Sequence, residues 1–218
     1  MTPEANNYSV ARARMAREQL IPRGIHDQRV LDAMISVPRH LFVEDALQSQ
    51  AYGDFPLPIG AGQTISQPYI VALMTQELQL KGDENVLEIG SGCGYQTAIL
   101  AQLTGRVYSV ERIKSLHIKA RRTLDRLKFV NVVCKIDDGT LGWPDFGPYD
   151  AIMVTAASPD IPGPLLDQLA DPGKMIIPVG DRYSQSLVVI EKNDGNITRK
   201  TIEQVRFVSL IGLHGWQE

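Results

Sequence analysis

A strand-like segment that ends in three alternating glycines constrains the fold of this chain more than any other feature. Residues 86–94 read Val-Leu-Glu-Ile-Gly-Ser-Gly-Cys-Gly, and residues 95–101 continue with the composition of a helix. This order predicts a buried strand, a tight loop and the N-terminus of a helix. Glycine permits positive φ and close approach of a ligand, and free N–H groups at a helix start attract anions. The segment is therefore predicted to bind a nucleotide-type cofactor.

The spacing of the glycines distinguishes two kinds of cofactor loop. The dinucleotide fingerprint G-x-G-x-x-G has its third glycine at the position where this chain has Tyr95. Gly90, Gly92 and Gly94 instead complete the pattern E-x-G-x-G-x-G with Glu88. This pattern resembles that of the class I methyltransferases, which use S-adenosyl-L-methionine (AdoMet). A simple turn between a strand and a helix can carry three glycines too, so the loop alone leaves that alternative open.

An acidic residue at the end of the next strand supports a nucleoside cofactor. Residues 106–111 form a strand-like segment that ends at Glu111, about 20 residues beyond the loop. In a strand–helix–strand unit, a carboxylate at this position reaches the two hydroxyls of a ribose. The loop and Glu111 together favour a nucleoside cofactor.

The composition excludes several classes of protein. A chain of 218 residues that is 44% hydrophobic can bury one sizeable core, and a net charge of −3 argues against a dedicated nucleic-acid binder. Cys93 and Cys134 are too few for a disulfide framework or a zinc site, so we expect no metal. No apolar run approaches 18 residues. We therefore expect a cytoplasmic protein with neither a nucleic acid nor a membrane as its partner.

The first 65 residues lie outside the alternation of strands and helices. Ser9 can cap one helix and Asp27 a second. Both helices carry apolar faces that need a partner. We expect residues 1–65 to form N-terminal helices and a substrate-side loop packed on a core of residues 66–218, within one structural domain.

A long connection leads into the core. Residues 52–65 are rich in glycine and proline, and connections of this length are often functional. Ser66 follows at the position of a helix N-cap, with Pro68 in the first helical turn. From spacing alone, a structural cap is the stronger interpretation of Ser66, since the G-x-S-x-G pattern of a hydrolase nucleophile is missing.

The rest of the chain alternates strands with helices. Residues 113–128 have the periodicity of an amphipathic helix, and strand-like segments follow at 131–136, 149–155 and 174–179. The segments 185–191 and 197–206 flank Asn-Asp-Gly-Asn, a strong hairpin signal. The pattern predicts an α/β fold: a doubly wound, mostly parallel, Rossmann-like sheet with antiparallel C-terminal strands, as in class I methyltransferases. The order of the last two strands stays open.

One more acid lies at a predicted strand end. Asp138-Gly139 follows the segment 131–136 and could accept a hydrogen bond from an adenine amino group. A simple Asp-Gly turn is the alternative. Ligands of doubly wound sheets bind at the carboxyl ends of the strands, where the glycine loop, Glu111 and Asp138 should all lie.

The chain resembles the protein-L-isoaspartate O-methyltransferase family over nearly its whole length. The most specific part is residues 62–68, Gly-Gln-Thr-Ile-Ser-Gln-Pro, since this segment is not general to methyltransferases. Further similarity lies at Val86–Ala98, Val110–Arg112, Asp138–Gly139, Tyr149–Ile152, Leu165–Gly173 and Pro178–Gly180. The resemblance implies methyl transfer from AdoMet, with S-adenosyl-L-homocysteine as product. The acceptor is the free carboxylate of L-isoaspartyl residues in damaged proteins and peptides, and the ester starts their repair to aspartyl through a succinimide.

The resemblance also implies roles for single residues. Ser66 matches the active-site serine beside the acceptor carboxylate, and Thr64, Ile65 and Val208 match residues near the substrate. The expected cofactor-binding residues are Glu88, Gly90, Ser91, Gly92, Gly94, Glu111, Asp138 and Gly139. We expect a monomer whose partners are isoaspartyl-containing proteins and peptides.

One position departs from the family pattern. Residues 207–210 read Phe-Val-Ser-Leu, and Ser209 stands where the family usually has proline in a C-terminal strand near the substrate. Serine restores a backbone N–H, so the path of this strand and the contact of Val208 depend on the structure.

Three other functions remain open at this stage. The first is a class I methyltransferase for a small molecule or a nucleic acid, and the second is a nicotinamide-dependent dehydrogenase. The third is a module that binds AdoMet and recognises damaged proteins without turnover.

Overall fold

The computed structural model describes residues 3–217, with side chains from residue 8 onward. The helices are α1 (Pro3–Met15), α2 (Gln28–Ser36), α3 (Pro68–Glu77), α4 (Tyr95–Leu103), α5 (Lys114–Arg126) and α6 (Gly163–Asp167). The strands are β1 (Leu57–Gly60), β2 (Gln63–Ile65), β3 (Asn85–Ile89), β4 (Arg106–Glu111), β5 (Val132–Ile136), β6 (Tyr149–Val154), β7 (Leu169–Gly180), β8 (Gln185–Asn193) and β9 (Asn196–Val205).

Seven strands form one sheet, and β1 and β2 pair separately. The order in the large sheet is β5-β4-β3-β6-β7-β8-β9. The first five strands in this order are parallel, whereas β7, β8 and β9 follow one another as an antiparallel meander. The predicted α/β class and the predicted hairpin are thus confirmed, and the meander settles the order of the last two strands.

The register of the parallel strands brings their carboxyl ends together. Ile89, the last residue of β3, lies opposite Val110 of β4 and Val154 of β6. The loops that leave these three strands therefore start from one edge of the sheet. Among them are the glycine loop, Glu111 and the residues after β6.

Gly90 is held in a conformation that only glycine can adopt here. Its φ is +94°, in the left-handed region, and a Cβ at this position would lie 2.4 Å from Thr155 Oγ1. The Thr155 hydroxyl in turn shares its single proton between the carbonyls of Ile89 at 3.0 Å and Gly90 at 2.6 Å. The turn out of β3 is thus fitted closely to the end of β6.

Of the two helix caps predicted in the N-terminal region, one is confirmed and the other is wrong. Asp27 caps α2 as predicted, because its Oδ1 accepts hydrogen bonds from Arg29 N at 2.9 Å and Val30 N at 3.4 Å. The predicted cap at Ser9 is wrong. Helix α1 begins at Pro3, since proline suits a first helical turn, and after Met15 the coil widens into a π-helical turn.

The N-terminal helices pack against α3 and α4 and share an apolar core with the sheet. Leu20 and Met34 are fully buried in the same apolar cluster as Val86 of β3 and Leu187 of β8. This packing gives the apolar faces of the helices the partner that the sequence requires.

The C-terminal segment at residues 207–210 is not a strand of the sheet, contrary to expectation. It makes an isolated bridge in which Val208 O accepts from Ala157 N at 2.8 Å and Leu210 N donates to Ala157 O at 2.7 Å. The segment pairs so briefly because it leaves β9 and crosses the loop after β6.

The region between β6 and β7 also differs from the sequence prediction. Helix α6 ends at Asp167 and β7 begins at Leu169, five residues before the predicted strand at 174–179. In residues 3–217, no helix is long and apolar enough to span a membrane.

Candidate active site

One cavity lies at the carboxyl edge of the sheet, between several chain segments. Its walls come from the end of β2, the glycine loop with the start of α4, the end of β4, and the segments after β6 and β9. The predicted site residues that line it are Thr64, Ile65, Ser66, Gly90, Ser91, Gly92, Glu111, Gly139 and Val208. The cavity thus joins residues that the sequence assigns to the cofactor with residues that it assigns to the acceptor.

Glu111 is oriented by backbone amides. Its Oε2 accepts a hydrogen bond from Gly92 N and its Oε1 one from Ile113 N, both at 2.8 Å. The side chain is only 5% exposed. Each carboxylate oxygen has further acceptor capacity, so the group can still receive hydrogen bonds from a diol. This pre-oriented acceptor fits the ribose of a nucleoside.

Glu88 lies outside the cavity walls. It is fully buried, and its Oε2 accepts hydrogen bonds from Thr97 Oγ1 and Ser109 Oγ, both at 2.5 Å. Ser109 Oγ lies 2.5 Å from Ser91 Oγ, which places Glu88 at the base of the glycine loop. The structure therefore gives Glu88 contacts that support the loop, while Ser91 lines the cavity.

Gly94 closes the glycine loop behind the cavity walls. It is the N-cap residue of α4, and its N–H donates a hydrogen bond to Ser91 O at 2.7 Å. The last glycine of the motif thus shapes the loop at the point where the helix begins.

Burial controls the ionisation of Glu88. Desolvation raises the pKa of this carboxyl to about 7, although the two hydroxyl donors lower it. Its second oxygen, Oε1, is buried and has no hydrogen-bond partner among the described residues. A neutral carboxyl group at this position suits such surroundings better than a charged one.

Both carboxylate oxygens of Asp138 already accept hydrogen bonds from other residues of the protein. Oδ1 accepts from Thr140 N at 2.9 Å and from Thr140 Oγ1 at 2.7 Å, and Oδ2 accepts from Leu213 N at 2.7 Å. Gly139 lines the cavity beside it. Asp138 thus ties the segment after β9 to the end of β5. An adenine amino group could use only the acceptor capacity that these donors leave.

Ser66 faces the cavity from the acceptor side. It does not cap α3, because the N-cap is Gln67 and no side chain caps that helix. In residues 3–217 no hydrogen bond involves the Ser66 hydroxyl, whereas its carbonyl accepts one from Arg39 Nη2 at 2.7 Å. The hydroxyl is therefore available to a ligand.

Ile65 and Val208 form the apolar part of the same wall. Ile65 is 3% exposed and belongs to the main core. Val208 is held by the bond from Ala157 N to its carbonyl. Thr64 is exposed at the rim. An extended chain could contact these three residues next to the Ser66 hydroxyl.

Several residues at the site were not identified as site residues from the sequence. Thr155 locks the turn at Gly90, and its position at the end of a predicted strand was the available clue. Arg39 contacts Ser66 across 27 residues, which no local pattern reveals. Cys93 also lines the cavity, and burial raises the pKa of its thiol to about 11, so it stays neutral at neutral pH.

The chemical groups in the cavity favour nucleoside binding over metal binding. The described residues contain no group of three or more His, Cys, Asp or Glu side chains able to hold a metal ion. The polar groups instead include a carboxylate suited to a diol, loop amides and the hydroxyl of Ser66. This set can bind a nucleoside and a second, anionic molecule.

Comparisons with known proteins agree with this description. The family described as protein-L-isoaspartate(D-aspartate) O-methyltransferase (PCMT) matches residues 12–215. A relative from Syntrophobacter fumaroxidans, named protein-L-isoaspartate O-methyltransferase 1, is 56% identical over 211 residues, which cover 97% of this chain and 99% of the relative.

Two solved structures share the fold over most of the chain. One, named protein-L-isoaspartate O-methyltransferase, is 29% identical with a TM-score of 0.85, and the match covers 94% of this chain and 67% of that one. The other is a protein-L-isoaspartate O-methyltransferase from Plasmodium falciparum in complex with S-adenosyl-L-homocysteine. It is 30% identical with a TM-score of 0.80, over 94% of this chain and 98% of that one.

Proposed function

Because the chain belongs to the protein-L-isoaspartate(D-aspartate) O-methyltransferase family, we propose that Ser66 and the glycine loop bind the two substrates of that reaction in one cavity. The enzyme transfers a methyl group from AdoMet to the free carboxylate of L-isoaspartyl residues in proteins and peptides. The ester that forms starts the repair to aspartyl through a succinimide.

The residues on the cofactor side fit AdoMet. The Glu111 carboxylate would accept hydrogen bonds from the ribose hydroxyls, and the loop of Gly90, Gly92 and Gly94 would surround the methionine part. Gly139, with Asp138, would lie beside the adenine. Glu88 would support the loop from beneath through its bonds to Thr97 and Ser109, and Ser91 would lie between this support and the ligand. AdoMet, when bound, supplies an electrophilic methyl group on a sulfonium.

The acceptor needs orientation more than activation. The isoaspartyl carboxylate has a pKa of roughly 3.5, so it is ionised and nucleophilic at neutral pH. No general base is required. Ser66 Oγ would donate a hydrogen bond that holds the carboxylate in place, while Thr64, Ile65 and Val208 would hold the extended peptide and exclude water. Placement of this kind accounts for a large part of the rate of bimolecular reactions.

One observation carries this proposal: Ser66 and Glu111 line the same cavity as the glycine loop. The family segment at residues 62–68 and the cofactor loop are far apart in the sequence, and a shared cavity is what methyl transfer between two bound molecules requires.

The test uses tritiated AdoMet and two peptides that differ only in aspartyl or isoaspartyl linkage. We expect alkali-labile labelling of the isoaspartyl peptide alone. Ser66→Ala should lower kcat/KM about 10- to 100-fold, the effect of a lost hydrogen bond to an anion, and should not abolish turnover. Ser184→Ala, an exposed serine outside the cavity, is the matched control. Equal rates on both peptides, or an unchanged Ser66→Ala enzyme, would contradict the proposal.

The organisation of the protein is proposed on the same basis. We propose a cytoplasmic monomer, with residues 1–65 as the substrate-side appendage of the 66–218 core. Sedimentation of the active enzyme at assay concentration would test the oligomeric state.

A further inference from the structure

A buried arginine bridges the two ends of the loop that carries the acceptor side. Arg39 is fully buried, in the 3₁₀ turn Arg39–Phe42. Its Nε donates to Ala51 O at 2.8 Å, and its Nη2 donates to Ser66 O at 2.7 Å. Between these carbonyls lie β1 and β2, which carry Thr64 and Ile65. One side chain thus fixes where the whole segment begins and ends.

The guanidinium has no counter-charge in its surroundings. Among the described residues, no carboxylate pairs with it, and Nη1 is buried without a hydrogen-bond partner. The titratable groups around it are Tyr95, Cys93 and Tyr52. Burial raises the pKa of all three, so they are neutral at neutral pH.

Arg39 itself keeps its charge. Burial lowers the pKa of Arg39 from 12.5, but an arginine starts so far above neutrality that it stays protonated. The guanidinium also lies over the Tyr95 ring, 4.8 Å from its centroid. A buried charge without a counter-charge destabilises the folded protein, so this site favours an anion nearby.

We propose that Arg39 is a positioning residue that holds Ser66 in place and provides the positive field that favours a charged acceptor carboxylate beside it. The inference rests on the proposed role of Ser66. The carboxylate of the substrate supplies the negative charge that the protein leaves out. Because the guanidinium is buried, its attraction for an anion next to Ser66 is less screened than that of a surface charge.

The test compares two ligands that differ in one charge. An isoaspartyl peptide and its uncharged isoasparaginyl counterpart are titrated against wild type, Arg39→Met and Arg39→Lys, each with S-adenosyl-L-homocysteine present. We expect wild type to bind the charged peptide more tightly than the uncharged one. In Arg39→Met this ratio of affinities should fall about tenfold. Arg39→Lys should retain at most part of the preference, because burial without a counter-charge lowers the pKa of a lysine towards neutrality, whereas an arginine stays protonated. It should also lose kcat, because one ammonium group cannot hold both carbonyls in the same way.

Arg29 offers a matched control. It also bridges two backbone carbonyls, those of Leu80 at 2.7 Å and Leu103 at 3.0 Å, but neither of these residues lines the cavity, whereas Ser66 does. Arg29→Met should lower stability while leaving the preference for the charged peptide intact. If Arg39→Met does not fold, Arg39→Lys still decides the matter, since wild-type kcat in that variant would overturn the positioning role.

These experiments also distinguish a failure of this inference from a failure of the proposed function. An equal preference for the charged peptide in wild type and Arg39→Met would overturn the role of Arg39, while loss of activity in Ser66→Ala would still support the site. Normal activity in Ser66→Ala would instead remove the proposed site, whatever Arg39 does.

Discussion

The two sides of the cavity are held by different kinds of contact. On the cofactor side, Glu111 accepts hydrogen bonds from Gly92 and Ile113, which lie two or three residues beyond the ends of neighbouring parallel strands. On the acceptor side, the carbonyl of Ser66 is held by Arg39, 27 residues earlier in the chain. The sheet thus sets the cofactor geometry, whereas long-range clamps set the acceptor geometry. Changes on the first side should alter cofactor affinity, and changes on the second should alter acceptor kinetics.

The largest effect is expected at Gly90. Gly90→Ala would combine a positive φ with a Cβ that lies 2.4 Å from Thr155 Oγ1. Strain and overlap together cost about 2–5 kcal/mol, so the loop must move. We expect affinity for S-adenosyl-L-homocysteine to fall about 30-fold or more, as measured by calorimetry.

Two further variants identify the cause. Gly195→Ala in the β8–β9 turn has φ of +75° with nothing within 4 Å, so it carries the strain without the overlap and should bind normally. Thr155→Ala in the Gly90→Ala background removes the overlapping hydroxyl and should recover part of the affinity. Normal binding by Gly90→Ala would show that the loop does not depend on this turn.

Glu88 makes the cofactor side sensitive to pH. Its pKa is about 7 in the folded protein, against an ordinary value of 4.5 in the unfolded chain. Below pH 4.5 the carboxyl is protonated in both states. Between pH 4.5 and 7 the unfolded chain ionises first, so the free energy of unfolding falls as pH rises. Above pH 7 the full cost is about 3 kcal/mol.

Denaturation at pH 5 and pH 8 measures this contribution. Glu88→Gln keeps an oxygen for the two hydroxyl donors and cannot ionise, so the fall in stability between these pH values should shrink by up to about 3 kcal/mol. Glu44→Gln makes the same chemical change at a side chain that is 63% exposed and should leave the slope as in wild type. A slope that Glu88→Gln does not change would mean that Glu88 is charged in the folded protein at pH 5.

Glu111 should control cofactor affinity. Glu111→Ala removes the proposed ribose acceptor, and the lost hydrogen bonds are worth roughly 1–3 kcal/mol, or about 5- to 150-fold in Kd. Glu111→Gln keeps one acceptor oxygen and should lie between wild type and alanine. Calorimetry with S-adenosyl-L-homocysteine gives both values. An equal Kd in all three proteins would remove Glu111 from the cofactor site.

The same contrast explains what the sequence could predict. The glycine spacing and the acid at the end of β4 located the cofactor side, because local patterns and parallel strand ends are enough to place them. The pattern could not show that Glu88 lies beneath the loop, since its partners Thr97 and Ser109 come from two other elements. Nor could it show that Arg39 donates a hydrogen bond to the carbonyl of Ser66. The prediction of a strand at 207–210 is wrong because the sequence indicates an extended segment but does not show how briefly that segment pairs with its neighbour.

The smallest effect is expected at Ser209. The two bonds that hold this segment use Val208 O and Leu210 N, and in residues 3–217 the Ser209 N–H makes none. Ser209→Pro therefore loses no bond. We expect stability within about 0.5 kcal/mol of wild type and an almost unchanged KM for the isoaspartyl peptide.

Leu210→Pro is the matched contrast on the acceptor side. It removes the N–H that donates to Ala157 O at 2.7 Å, which should cost about 1–3 kcal/mol and raise the peptide KM. Cofactor affinity should change less, because Glu111 and the glycine loop are held by the sheet. Equal effects of proline at positions 209 and 210 on stability and on the peptide KM would show that the bridge to Ala157 does not position Val208. The acceptor side would then depend on Arg39 and Ser66 alone.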